Sequence, residues 1–486
     1  MSGLNLCLSL AVVNFQHCKD LVSLAPLTGT PMLKIVDVRG SGVRDISGIE
    51  SCTSLEQLDV GWCDQLRSLA SLARMSSLRS LNANRSGIED ITGLSTCPQL
   101  VSVKFEYCDK LLDLSALAGA PLLSAINANH SGVRPITGLS DCPLLEDLKL
   151  EHCSHLWTLS PLANSPMLRS LKASHTGVRD VLPLFSCPRL ETVKLKHCSQ
   201  LKSLSGLAGA PALRLVKAGF SNVRDISNLA QCVALTTVEL DHCEWLTILS
   251  PSTGAPQLQR IGASHTKVRN LDGLRYCSKL EIIDVRYCPV LTDVSPLSRT
   301  PKLRIILASH SGVQNITGLS ECPELQCVEF DTCRNLFSLA QLAGAPLLES
   351  IKAASSCVHD LSGLNTCPKL TSVDLEGCKQ LATLASLAGA PSLTTVNAAN
   401  SGVQSIEGLG ACSQLKTVFL DSCKDLYNLT PLSAAAHLEV IRVSRTNYSD
   451  AECPPRLRLL LLLNDSKEED NGDELHNNSG YADFWD

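Results

Sequence analysis

The chain has 486 residues, 44% hydrophobic and 4% aromatic, with a net charge of −6. This is a globular composition, and no apolar run reaches the roughly 18 residues of a membrane-spanning helix. Residues 464–486 hold eight acids and one base, a charge of −7, which leaves +1 for everything before them and excludes a general polyanion-binding body such as a nucleic-acid binder.

The opening stretch, Leu4–Val13, is apolar like the core of a signal sequence, but it lacks a basic leader. Leu10, Val13, Phe15 and Cys18 instead match a pattern that runs through the chain, so the stretch is read as the first strand of the fold. Twenty of the 23 cysteines fall into two sets of ten, one from Cys18 to Cys423 and one from Cys7 to Cys412. Each set advances by 45 residues without insertion or deletion; only Cys327, Cys357 and Cys453 stand outside. A fixed period of this kind marks a solenoid and overrides a domain count based on length.

Each period divides into two related halves. Leu55, Leu58, Val60, Cys63 and Leu66 form one pattern; Leu78, Leu81, Ala83, Ser86 and Ile88 form the other. Serine or threonine recurs in the second from Ser41 to Thr446, so the chain is about twenty units of 22–23 residues. The alternating pair Leu58 and Val60 predicts a short strand with one buried face. The Cys, Ser or Thr three residues later falls where the chain turns inward and satisfies backbone groups there. The glycine after the ladder serine, as at Gly42, is expected to permit that turn. So short a unit leaves little room for a helix, and a stretch such as Ser68–Met75 is predicted extended or 3₁₀.

These units resemble the leucine-rich repeat family over roughly residues 4–463. The serine half, Ser41–Ile49, resembles the short repeats of internalins and phosphatase regulators. The cysteine half resembles the cysteine-containing repeats common in F-box proteins, and leucine-rich repeat proteins of kinetoplastid protozoa mix such units more loosely. The resemblance implies a solenoid (horseshoe) over residues 1–463, with a parallel β-sheet on its concave face and a mostly extended or 3₁₀ convex side. It implies a binding scaffold without specifying the partner.

The cysteines read as buried thiols. Ladder equivalents lie two strands, about 10 Å, apart, beyond disulfide reach. A reducing, cytoplasmic compartment is therefore expected. No C-x-x-C pair occurs, so no metal or other cofactor is expected.

The residue before each ladder position is expected on the concave face. From Tyr107 it runs His130, His152, His175, His197, Phe220, His242, His265, Tyr287 and His310. Three readings stand: rings stacked at the strand spacing, a pH-sensitive partner-binding strip, and a histidine–histidine metal site between adjacent strands. Beside the strip stand Lys172, Lys194, Lys196 and Lys217, preceded by Lys104 and Lys149. Acids such as Glu239, Asp284, Glu329, Asp331 and Asp374 gather further along, so a partner with an acidic segment is expected on the basic half. Arg44, Arg134, Arg179, Arg224 and Arg269 recur three residues after the ladder position, with local pairing to following aspartates such as Asp45, Asp180 and Asp225 as the simplest account.

At the N-terminal end the first strand lacks a polar cap, so the expectation is that a partner covers that edge, that it stacks on another copy, or that residues preceding it are missing from the sequence. Leu457, Leu460 and Leu462 predict a closing strand. The segment 464–486 is expected to be a disordered acidic tail, with Tyr481, Phe484 and Trp485 as a docking motif or as aromatics that fold back on the body. No phosphate-binding loop, zinc-protease or nucleophile-elbow motif occurs. The expectation is a non-enzymatic intracellular scaffold that binds a protein on its concave face. The alternatives are a substrate-recognition subunit of a ubiquitin ligase and a component of an end-to-end assembly.

Overall fold

Each repeat contributes one three-residue strand because only three positions lie between the leucine that enters the core and the inward turn. The computed structural model describes residues 4–249, 255–448, 454–458 and 460. The chain gathers into two compact units, Met1–Leu280 and Glu281–Asp486. In the first, twelve strands run from Val12–Asn14 to Arg260–Gly262, each parallel to and in register with the next. In the second, eight run from Ile282–Asp284 to Val440–Arg442 in the same manner. This is the predicted solenoid of parallel strands. The middle residue of each strand is buried, so Val13, Val36 and Leu58 form one core column, continued by Leu81 and Val103. The flanking residues of each strand point to the opposite face of the sheet, which is open along most strands but carries a buried apolar cluster of Ile282, Ile305, Leu307 and Cys327 in the second unit.

The return side is built of 3₁₀ turns, such as Ala70–Leu72 and Leu94–Thr96, as the repeat length requires. Side chains two residues upstream open these segments. Ser68 Oγ accepts from Ala70 N at 3.1 Å, and Asp90 Oδ1 accepts from Thr92 N at 2.9 Å. Asp45 Oδ1, Asp180 Oδ1 and Asp225 Oδ1 do the same for Ser47, Leu182 and Ser227. These aspartates therefore serve their own turns, and none of the five recurring arginines makes a salt bridge among the described residues. The expected Arg–Asp pairing is not made.

The alternation of halves has a hydrogen-bonding cause. Ser86 Oγ and Cys108 Sγ both donate to the carbonyl of Ala83, at 2.5 and 3.0 Å. One carbonyl with two lone pairs thus serves a hydroxyl from its own repeat and a thiol from the next. The same pair of donors meets Ala128, Ala173, Ala218, Ala308 and Ala353. The second cysteine set donates to leucine carbonyls on the return side, as Cys97 does to Leu72 at 3.0 Å. Cys7 and Cys18 are exposed, together with Leu6, Leu8 and Val12.

Two expectations are corrected. Gly42 does not carry the turn: a Cβ there would lie 2.0 Å from the Lys19 carbonyl oxygen, so the glycine allows close approach of neighbouring turns. The left-handed conformation falls two residues earlier, on the ring-bearing position itself. At the far end, residues 455–458 are helical, and Arg458 N donates to Pro454 O at 3.0 Å, so the predicted closing strand is not formed there. Pro455 at the helix start needs no donor, which suits a helix better than a strand. The positions of Tyr481, Phe484 and Trp485 lie outside the described residues.

Candidate functional site

Three residues past each strand the chain turns into the core, and the residue there takes a left-handed backbone: φ is +54° at His130, +62° at His152, +59° at His197 and +57° at Phe220. Because every repeat repeats that conformation, the side chains project in parallel from one edge of the sheet. In the first unit, Tyr107, His130, His152, His175, His197, Phe220, His242 and His265 form one continuous stack. Successive ring centroids are 4.0–4.3 Å apart, with planes 10–16° from parallel. In the second unit Tyr287 and His310 stack at 4.5 Å. The column therefore stands in the turn beside the strands rather than on them.

Sequence reasoning missed the start of the stack. The Arg85 guanidinium lies 3.9 Å from the Tyr107 ring centroid and 4.6 Å from that of Trp62, so a cation joins the column to one more aromatic. Arg85 and Trp62 occupy the same register as the rings and take the same left-handed backbone. That shared register was the available signal.

Stacking hides the ring faces and leaves the edges to solvent; Phe220 is 43% exposed. The ring edges carry C–H and N–H groups and, on each neutral imidazole, one bare nitrogen that accepts, so the border is mixed while the imidazoles are neutral and turns electropositive as they protonate. Burial between neighbours pushes the imidazoles of His130 and His175 below their ordinary value, and adjacent imidazoles push the same way. His197 is lowered chiefly by burial, then by Lys196. Glu106 and Glu151 oppose the shift at His130. An open hollow of about 450 Å³ lies at the stack's centre, lined by His197, Phe220, His242, Ser199, Asn222 and Glu244.

On the open face of the sheet, Lys149, Lys172, Lys194 and Lys217 stand in one register on four adjacent strands. Glu239 is buried and takes Lys217 at 2.8 Å and Lys196 at 2.9 Å, while Lys149 meets Asp147 at 3.3 Å. Lys172 and Lys194 make no ion pair among the described residues. Burial lowers the Lys194 ammonium, and the charges of Lys217 and Lys172 lower it further. Two of the four lysines predicted for the surface are thus neutralised from within. In the second unit Glu329 pairs with Lys352 and Asp284 with Arg286. Burial raises Asp331 and Asp374, and nearby carboxylates raise them further. No cluster of three or more potential metal ligands occurs among the described residues.

No family model and no curated protein matches the chain. Among solved structures, the functional domain of InlJ from Listeria monocytogenes, which includes a cysteine ladder, matches with a TM-score of 0.52 at 16% identity. The match covers 77% of this chain and 76% of that one. The plant peptide hormone receptor RGFR1, in complex with RGF2, matches with a TM-score of 0.53 at 14% identity, over 93% of this chain and 84% of the receptor. At these identities the likeness is one of fold.

Proposed function

We propose that this chain, which has the leucine-rich repeat fold, is a non-enzymatic protein-interaction scaffold whose binding surface is the ring column with the lysine register beside it. The observation that carries the reading is the eight-ring stack of the first unit: its edges stay open to solvent, next to Lys172 and Lys194, which make no ion pair among the described residues. A purely structural ladder has no need of two crowded ammonium groups without an ion-pair partner, which repel each other. The chemistry favours a partner that brings carboxylates to Lys172, Lys194 and the imidazole N–H edges and an apolar group to the hollow at Phe220. The RGFR1–RGF2 complex gives a precedent for peptide binding on this fold. Twenty-two described cysteines are free thiols, which supports a reducing, cytoplasmic setting.

The test is capture of partners from a lysate with the full chain and with the His197→Ala, Phe220→Ala double variant. Loss of specific partners from a variant with intact circular dichroism supports the reading. Unchanged capture with lowered thermal stability overturns it and leaves the stack as a purely structural ladder. Partners that are ubiquitin-ligase components would favour the substrate-recognition alternative on the same face. End-to-end assembly would show as association that depends on the exposed Leu6, Leu8 and Val12.

A further inference from the structure

We infer that the first unit carries a second binding surface, in the row that follows the inward turn, for an extended segment of a partner protein in the polyproline II conformation with an acidic residue at every third position. Arg134, Arg179, Arg224 and Arg269 stand three residues past the ladder position in every second repeat, 45 residues apart. Their row is a thin parallel ladder of its own. Arg134 N donates to Leu112 O at 3.0 Å, Thr247 N to Arg224 O at 3.3 Å and Arg269 N to Thr247 O at 3.2 Å. Neighbouring repeats in such a ladder are about 4.8 Å apart, so successive arginines are about 9.6 Å apart. All four are exposed, and none makes an ion pair among the described residues. The acids that follow two of them are already committed. Asp180 Oδ1 accepts from Leu182 N at 3.2 Å, and Asp225 accepts from the N and Oγ of Ser227 at 2.8 and 2.7 Å. No acid occupies the row between Arg134 and Arg269; the intervening positions are Trp157, Lys202 and Thr247.

The spacing selects the conformation of the occupant. A polyproline II helix presents every third residue on one face, about 9.3 Å apart, which keeps step with the arginines. Same-side residues of an extended strand recur about every 6.8 Å and fall out of step by the second arginine. Guanidinium forks take carboxylates bidentately, so each arginine suits one acid. Trp157 suits the residues between the acids. A Cβ at Gly177 would lie 2.6 Å from Trp157 Cδ1, so the indole rests on the glycine of the next repeat, yet it is 59% exposed. A fixed aromatic with an open surface is the kind of platform on which proline rings dock. A nucleic-acid strand is disfavoured, because the chain before residue 464 carries only +1 and supplies no field for a continuous polyanion. The surface uses neither the rings nor Lys172 and Lys194, so it is independent of the binding surface proposed above.

A labelled peptide of four Glu-Pro-Pro triplets, titrated by fluorescence anisotropy against the full chain, tests this. It is expected to bind, and Arg179→Glu with Arg224→Glu is expected to weaken binding at least about tenfold, because both positions then repel their carboxylates. Trp157→Leu is expected to weaken it about threefold to tenfold. Leu112 holds the equivalent place over Gly132, so that variant keeps its fold. A peptide of four glutamates alternating with threonines carries the same charge at the wrong spacing and is expected to bind at least about fivefold more weakly. The His197→Ala, Phe220→Ala variant is expected to bind the triplet peptide as wild type does. Circular dichroism checks the fold of each variant. No binding, equal affinity for the two peptides, or indifference to the arginine reversals overturns the inference. Tighter binding of an oligothymidylate of equal charge, lost with the same reversals, overturns it in favour of a nucleic-acid surface. Loss of peptide binding in the ring variant overturns it by moving the peptide onto the ring column. Partner capture by the ring variant is scored separately, so failure here leaves the scaffold reading standing, and failure of that reading leaves this surface.

Discussion

The ring of Phe220 lies 4.1 Å from that of His197, with planes 13° apart, and both residues hold a left-handed backbone at φ +57° and +59°. Each such residue is strained by about 1–2 kcal/mol relative to right-handed backbone. Each stacked pair returns about 0.5–1.5 kcal/mol. The usual order of substitutions should therefore invert. His197→Ala loses two stacking contacts and keeps the strain, for a net loss of about 1–3 kcal/mol. His197→Gly loses the same contacts and sheds the strain, so it should be the more stable of the two. Chemical denaturation of both variants decides; an alanine variant at least as stable as the glycine variant would mean that the backbone there is not strained.

The stack also sets a pH dependence. His130, His175 and His197 lie below the ordinary imidazole value of 6.5 in the folded chain. The unfolded chain therefore binds more protons, and stability is fully present above about pH 6.5 and falls as pH drops toward the lowered values. Asp45, Asp90 and Asp360 are held down mainly by side-chain hydrogen bonds, so their contribution is lost only below about pH 3.8. Asp331 and Asp374 are raised and act with the opposite sign at acid pH. The thermal midpoint should fall between about pH 7.5 and 5.5. Replacing the three histidines by Gln should flatten that slope; an unchanged slope would place its origin elsewhere.

Thiol chemistry separates the ladder from its ends. Nineteen described cysteines are buried, Cys357 is half-buried, and Cys7 and Cys18 are exposed. Burial drives Cys322 up to about 11 and Cys327 to about 12, so these thiols are neither accessible nor ionised at neutral pH. Native protein should label first at Cys7 and Cys18, then at Cys357, as peptide mapping would show. Denaturation without reductant should release all 23 cysteines of the sequence, and disulfides among the ladder positions would contradict the fold's hydrogen-bonding scheme.

Strand positions, core columns and the ring register were legible because each repeats at a fixed stride, and a periodic signal survives without knowledge of contacts. Features that depend on two sites at once were not. Arg85 shares the register of Trp62 and Tyr107, but a guanidinium is not a ring, and only its position between two rings makes it a member of the stack. Gly42 looked like a turn glycine because its restriction comes from the Lys19 carbonyl of the preceding repeat. The leucines at 457 and 460 fit a strand by spacing alone, while Pro454 and Pro455 favour the helix that residues 455–458 form. Lys196 and Glu239 are 43 residues apart, and no sequence pattern announces their 2.9 Å ion pair.

That ion pair yields a final prediction. The Glu239 carboxylate, with its side chain 3% exposed, holds Lys217 and Lys196 together. Glu239→Gln removes the charge and retains the shape, so Lys217 and Lys196 lose that counter-charge beside Lys172 and Lys194. Stability should fall by about 2 kcal/mol, less than the 3–5 kcal/mol of a fully buried broken pair, because Lys196 reaches water. Affinity for an anionic ligand should rise at low salt and return to the wild-type value at high salt, because the added attraction is electrostatic. Denaturation and anisotropy titrations across a salt series, using a polyglutamate peptide, measure both. A variant that loses stability without gaining low-salt affinity would show that these lysines belong to the scaffold, and would confine the binding surface to the ring edges.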